Sequence, residues 1–171
     1  MGVPDAEAVL VTGVYGAGKS TVVADIGGLE GRGQRYGVID VDWLGWFYSG
    51  GGEHTHQQVM LSNVTAVCNA YLAEGVQRLA LAHAIRDLPQ LEALRRAVGV
   101  PVRVVRLDID AALVEQRLSL DPTEERRYDD LRVALEWLSA GHGVGLEDLL
   151  LPGDRPVRQT SEAICTWLGW T

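Results

Sequence analysis

The sequence predicts an α/β domain built on a mostly parallel sheet, and three observations carry that expectation. An apolar run at residues 8–12 leads into a glycine-rich loop, and residues 20–26 follow without Pro or Gly, giving the order strand, loop, helix. Short apolar runs then alternate with segments of helical periodicity, the pattern of parallel strands joined by crossover helices. The chain has 171 residues, enough for one such domain to bury roughly 70% of its unfolded surface.

Each element has its own signal. The first helix ends near Gly27 and Gly28, and Gly31 to Gly33 make a polar turn. Residues 36–42 read as a second strand ending in Asp40-Val41-Asp42. Trp43, Trp46, Phe47 and Tyr48 follow, then a flexible Ser-Gly-Gly-Gly run at 49–52. Met60, Val64, Val67, Cys68, Tyr71 and Leu72 recur at helical spacing, with Gly75 as the stop. Residues 79–85 form a third strand. Pro89 opens a helix with Leu91, Leu94 and Val98 on one face, closed by Gly99 and Pro101. A fourth strand covers 102–107, and Asp110 caps the helix running through Leu118. The segment 121–128 is densely polar, and a helix bearing Leu131, Leu135 and Leu138 runs from it to Gly141. Leu149 to Leu151 make the last strand, and Pro156 starts a helix that buries Val157, Ile164 and Leu168.

Composition narrows the partners. A net charge of −8 and a pI near 4.9 argue against nucleic acid, which would require a basic face. Cys68 and Cys165 lie far apart with no C-x-x-C, so buried thiols in a reducing cytoplasm are expected, and a zinc site is not. Residues 1–8 lack the pattern of a signal peptide, and no apolar run approaches the length of a membrane span.

The chemistry begins at Gly13-Val14-Tyr15-Gly16-Ala17-Gly18-Lys19-Ser20, which fits G-x-x-x-x-G-K-[ST] between a strand and a helix. Glycines let successive backbone N–H groups turn inward as an anion nest at the positive end of the helix. Lys19 then reaches the β- and γ-phosphates and the Ser20 hydroxyl serves Mg²⁺. Lys19 is the only lysine in the chain, so the N/T-K-x-D motif of a guanine site cannot exist elsewhere. A plain glycine-rich turn is the bland alternative.

In a parallel sheet, ligands sit beyond the carboxyl ends of the strands. Asp40 and Asp42 end the second strand, two residues apart, so both carboxylates can face one pocket. One could hold Mg²⁺ and the other accept the proton of an attacking hydroxyl; alternatively they are solvated acids, one of them capping a short helix. Arg117, Arg126 and Arg127 could close over phosphates as a lid, or form a solvated face with Glu124 and Glu125. The aromatic residues 43–48 suit a substrate wall and core packing equally well. His54 and His56 read as solvated residues of a glycine-rich loop more readily than as a metal pair. His83 and Arg86, at the end of the third strand, either touch substrate or satisfy backbone groups.

With these residues in hand, the chain resembles the small P-loop kinases of the shikimate, gluconate and adenylylsulfate kinase type. Gly13 to Ser20 resembles their phosphate loop. Asp40-Val41-Asp42 resembles the D-x-D of shikimate kinases, whose first acid serves Mg²⁺ and whose second serves the substrate. The stretch 81–87, with Arg86, resembles the third-strand region of gluconate kinases, and Arg117, Arg126 and Arg127 resemble the family's lid arginines. Pro152-Gly153-Asp154-Arg155-Pro156 stands where these kinases hold adenine.

The resemblance implies a three-layer P-loop NTPase fold as a single domain over 1–171. Its five-stranded parallel sheet would run in the order 2-3-1-4-5, with a small lid at about 119–130. It implies ATP as phosphoryl donor, bound by Gly13, Tyr15, Gly16, Ala17, Gly18, Lys19, Ser20, Thr21, Arg117, Arg155 and Pro156. Mg²⁺ would rest on Ser20 and Asp40. A small hydroxyl acceptor would meet Asp42, Trp43 and Arg86, with Lys19, Asp42, Arg117, Arg126 and Arg127 carrying the transfer. A cytoplasmic monomer or homodimer, with neither nucleic acid nor membrane as partner, completes the expectation. One departure stands out: Leu79-Ala80-Leu81-Ala82-His83 lacks the acid that ends a Walker B strand, with Asp108 as a late alternative. A nucleotide-binding module without turnover is therefore the second reading.

Overall fold

The structure, a computed structural model, describes residues 6–29, 35–47, 52–119 and 124–170, apart from the side chains of 124–128. Five parallel strands make one sheet in the order β2-β3-β1-β4-β5. They are β1 (Glu7–Thr12), β2 (Tyr36–Asp40), β3 (Arg78–Ala82), β4 (Val102–Asp108) and β5 (Leu149–Pro152). Seven helices are interleaved among the described residues: α1 (Lys19–Gly27), α2 (Val41–Leu44), α3 (Glu53–Ala73), α4 (Leu88–Val98), α5 (Ala111–Leu118), α6 (Glu124–Ser139) and α7 (Val157–Leu168).

The alternation of side chains along β1 divides the core. Ala8 and Leu10 face one layer with Leu79, Leu81 and Val104, covered by Val64 and Cys68 of α3 and Leu91, Leu94 and Val98 of α4. Val9 and Val11 face the other with Ala80, Ala82 and Val105, covered by α1, by Val114 and Leu118 of α5, and by Ile164, Cys165 and Leu168 of α7. Helices therefore cover both faces of a central strand that is apolar from Ala8 to Val11, which is why β1 reads as a hydrophobic run.

Several boundaries differ from the expectation. β2 stops at Asp40, because its side-chain Oδ1 accepts the Asp42 N–H at 3.2 Å and caps α2. Asp42 therefore stands on a helical turn beyond the strand, not two residues along it. β3 stops at Ala82, and the chain leaves the sheet where the Ile85 N–H donates to the buried Thr12 hydroxyl at 3.0 Å. α3 starts at Glu53, so His54 and His56 belong to its first turns and not to a loop. α6 starts at Glu124, within the polar segment. Val157 is exposed, and α7 instead buries Thr160, Ser161, Ile164, Cys165 and Leu168. Cys68 and Cys165 are buried thiols, neither in a disulfide.

Below the sheet, Glu7 ties three elements together. Its carboxylate accepts from Arg78 at 2.8 Å, from Arg103 at 2.8 Å and from the indole N–H of the fully buried Trp170 at 2.9 Å. This knot closes the amino ends of β1, β3 and β4 and leaves the carboxyl ends for the site.

Candidate active site

The loop between β1 and α1 is shaped by its glycines. Gly13 has φ +144°, and a Cβ there would lie 2.8 Å from the Leu107 carbonyl oxygen, so no other residue fits between β1 and β4. Gly16 and Gly18 also have positive φ, and Gly18 stands at the N-cap of α1 without a side-chain cap, leaving the first N–H groups of the helix directed into the loop. Ser20 and Thr21 follow with exposed side chains, and Tyr15 lies on the outside of the loop.

Lys19 is buried and donates from Nζ to the Val14 carbonyl at 3.0 Å. Burial pulls its pKa below the ordinary lysine value, and the nearby charges of Asp42 and Asp40 only partly restore it. A desolvated ammonium in a nest of N–H groups lacks a full counter-charge, which is what an incoming phosphate supplies.

Arg117, at the end of α5, reaches back to this loop. It donates from Nη1 to the carbonyls of Gly16 at 3.3 Å and Ala17 at 3.1 Å, and from Nη2 to Gly153 at 2.6 Å. One guanidinium thus fastens the phosphate loop to the turn after β5. A cavity of about 340 Å³ lies here, lined by Gly16, Gly18, Thr21, Arg117, Gly153, Arg155 and their neighbours. Gly153 is required at this turn, since a Cβ would come within 1.9 Å of Ile109 Cγ2. Pro156 is not among the lining residues; it caps α7, whose Thr160 N–H donates to its carbonyl at 3.0 Å.

Beyond β2 and β3 a second cavity, of about 430 Å³, is lined by Asp42, Trp46, Phe47, His83, Arg86 and Trp137 among others. His83 Nδ1 lies 2.7 Å from Asp42 Oδ1. With the carboxylate ionised, Nδ1 is the donor, which directs the ring's other nitrogen to be the acceptor when the imidazole is neutral. Burial raises the Asp42 pKa, but the hydrogen bond and charge of His83, with the charge of Lys19, outweigh it and hold the carboxyl below its ordinary value. Asp42 thus belongs to both regions: it lines this cavity and lies in the field of the loop lysine. Arg86 is held above the Trp137 ring at 5.6 Å, and its backbone is fixed by the Gly143 N–H donating to its carbonyl at 2.9 Å.

Of the residues singled out in the sequence, Asp42 and Arg86 line this cavity and Trp43 does not; Trp43 is 65% exposed and tilts against Trp46. Ser20 and Asp40 offer hard oxygen donors, a hydroxyl and a carboxylate, and Asp40, with Asp42, acts electrostatically on Lys19. Such a donor set fits a magnesium ion. Asp108 is engaged by Arg106 at 2.9 Å, and Arg106 also binds Glu147. The side chains of Arg126 and Arg127, Tyr48, and most of the lid segment 119–130 outside α6 lie beyond the described residues. Trp137 and Gln90 had no sequence signal as site residues, because both sit in helices whose apolar spacing reads as core. Among the described residues no group of three or more His, Cys, Asp or Glu could hold a metal ion, and no helix is long and apolar enough to cross a membrane.

No family model matches the chain, and no curated protein sequence is significantly similar to it. Solved structures are similar in fold over nearly its whole length. A sugar kinase from a Janibacter species superposes with a TM-score of 0.69 at 19% identity, covering 97% of this chain and 96% of that one. The shikimate kinase of Bacteroides thetaiotaomicron superposes with a TM-score of 0.68 at 14% identity, covering 95% and 98%. A gluconokinase from Sinorhizobium meliloti gives 0.61 at 16% identity, covering 99% and 94%. The chain has the fold of the small P-loop kinases.

Proposed function

We propose that the protein is an ATP-dependent phosphotransferase acting on a hydroxyl of a small molecule bound in the cavity beside Asp42. The observation that carries this reading is the position of Asp42. A phosphate loop alone binds a nucleotide; an ionised acid that lines an adjoining cavity and feels the loop lysine joins donor site to acceptor site.

In this reading the backbone N–H groups of Gly16 to Ser20 cradle the phosphates and Lys19 neutralises the terminal ones. Thr21, Arg117, Arg155 and the turn at Gly153 border the base and ribose. Ser20 and Asp40 would hold magnesium, which neutralises charge on the phosphate oxygens when bound. His83 orients Asp42, and Asp42 orients the acceptor hydroxyl and takes its proton. The hydroxyl oxygen forms the new bond to the γ-phosphorus, the bond from that phosphorus to the β–γ bridging oxygen breaks, and ADP leaves. Because the transition state is loose, bonding to the acceptor oxygen is slight, so the hydroxyl needs positioning more than prior ionisation and passes its proton to Asp42 as the new bond forms. Arg126 and Arg127 are proposed to close over the phosphates. A monomer or homodimer in the cytoplasm is the proposed setting.

A second reading, a nucleotide-binding module without turnover, rests on one feature alone: β3 runs into Ala82 and His83 with no acid at its end. The two are separated by incubating the protein with ATP, Mg²⁺ and pools of hydroxylated metabolites and following phosphate gain by mass spectrometry. Phosphorylation that disappears in Asp42→Asn, with ATP binding retained, supports the kinase; equal turnover in that variant rejects Asp42 as the base.

A further inference from the structure

The cavity beside Asp42 has walls that phosphoryl transfer by itself does not require. Three aromatic rings, Trp46, Phe47 and Trp137, share it with the buried aliphatic side chains of Met60, Ile85 and Leu94. Two of the rings are held from one side by protein groups: Phe47 lies parallel to His56 at 5.2 Å, and Trp137 carries the Arg86 guanidinium over its face at 5.6 Å. Trp46 is 63% exposed, although burying so large a ring against the core would be favourable.

The polar lining of the same cavity is poorly matched to a carboxylate: it brings two acids, Asp42 and Glu53, against one guanidinium, with His56, Gln57, His83 and Gln90 beside them. Asp42 and His83 bind each other. Arg86 is the one Arg or Lys among the lining residues; its guanidinium is stacked, and its backbone N–H is taken by the Gln90 side chain at 2.9 Å. A sugar acid carries a carboxylate, best met by paired guanidinium N–H groups, and a hydroxyl on nearly every carbon. Each hydroxyl laid against an apolar wall without a partner loses its hydrogen bonds to water and gains none in return. A volume of about 430 Å³ also lies within the range of sites that enclose drug-sized ligands.

We propose that the acceptor is a hydroxylated molecule with a flat, largely apolar ring system, an aryl alcohol or a nucleoside-like compound, and not a polyhydroxylated sugar acid. The ring lies among Trp46, Phe47 and Trp137 while the hydroxyl meets Asp42. This rests on the phosphotransferase reading for the role of the hydroxyl; the ring preference is a binding property and is measured separately.

Isothermal titration of the full chain, alone and with a non-hydrolysable ATP analogue, tests it with four probes: phenylserinol, thymidine, gluconate and shikimate. At least one ringed probe is expected to bind about tenfold or more tightly than either acid. Phenylserinol alone identifies the aryl class, and thymidine alone the nucleoside class. Trp46→Ala and Trp137→Leu should each weaken that binding about fivefold or more. If Trp137→Leu fails to fold, the exposed Trp46 position decides by itself. Gluconate or shikimate binding as tightly as the ringed probes overturns the proposal, as does no binding of either ringed probe at millimolar concentration. Ringed-probe binding that survives the tryptophan substitutions overturns it too. Failure of the ATP analogue to bind removes the kinase reading and leaves the comparison of probes intact.

Discussion

Lys19 and Asp42 show how far single residues decide the site. Lys19 is buried with its pKa pulled down by desolvation, so the folded state bears a cost at neutral pH. For a lysine whose folded pKa is lowered, that cost is present below the folded value and disappears as pH rises toward the ordinary value. Lys19→Met should therefore raise the melting temperature of the unliganded protein by about 2–4 °C, the equivalent of about 1 kcal/mol, while abolishing stabilisation by ATP. A thermal melt with and without nucleotide reads both effects, and a retained ATP shift would place the phosphates elsewhere. Asp42 has the opposite sign: its folded pKa lies below the ordinary 3.8. Its contribution is fully present above about pH 4 and is lost as pH falls through the lower folded value. Urea midpoints at pH 5 and pH 3 should converge in Asp42→Asn relative to wild type, and parallel losses in the two proteins would show that the His83 pair contributes nothing.

Among the elements, the site depends on how strand ends are terminated. β2 stops because Asp40 caps α2, and β3 stops because Thr12 captures the Ile85 N–H. These two local events bring Asp42 to His83, across 41 residues of sequence. At the other end of the sheet, Glu7→Ala would remove the shared carboxylate from Arg78 and Arg103 and an acceptor from Trp170 Nε1. Because the charged groups are only partly buried, a loss of about 2 kcal/mol is expected, with the melting temperature falling by about 4–8 °C. Nucleotide affinity in the folded variant should be unchanged, since the knot lies below the sheet; a weakened affinity would show that the amino ends of the strands influence the loop. The strands and helices were largely legible in the sequence because burial on both sheet faces imposes apolar runs, and turns impose glycine. The ends of β2 and β3 were not, because a side chain capping or capturing a backbone N–H leaves no mark on hydrophobic periodicity.

For the whole molecule, binding of ATP with Mg²⁺ at a hundred times its dissociation constant should add about 2.7 kcal/mol to stability. In a chain of this size that is a rise of roughly 5–10 °C in melting temperature. No shift with any nucleotide up to millimolar concentration would falsify the donor site. Among the described residues two cavities adjoin the candidate site, one bordered by the phosphate loop and the turn after β5, the other by α2, α3, α4 and α6. Arg117 stands at the first, bonded to the loop and to the turn after β5 together.

By itself the sequence determined the sheet order, through its resemblance, and the phosphate loop, through residue types that only one backbone geometry accommodates. It also excluded the N/T-K-x-D motif of guanine sites, because its single lysine is already in that loop. Only the tertiary structure decided which residues share a cavity. Trp43 and Trp46 look alike in sequence, yet α2 turns Trp46 toward the cavity and leaves Trp43 outside it. Trp137 joins from a helix more than 90 residues away from Asp42 in sequence. The loop is built from consecutive residues and is therefore written in sequence; the acceptor wall is built from side chains brought together by packing, and packing partners are not encoded in local order.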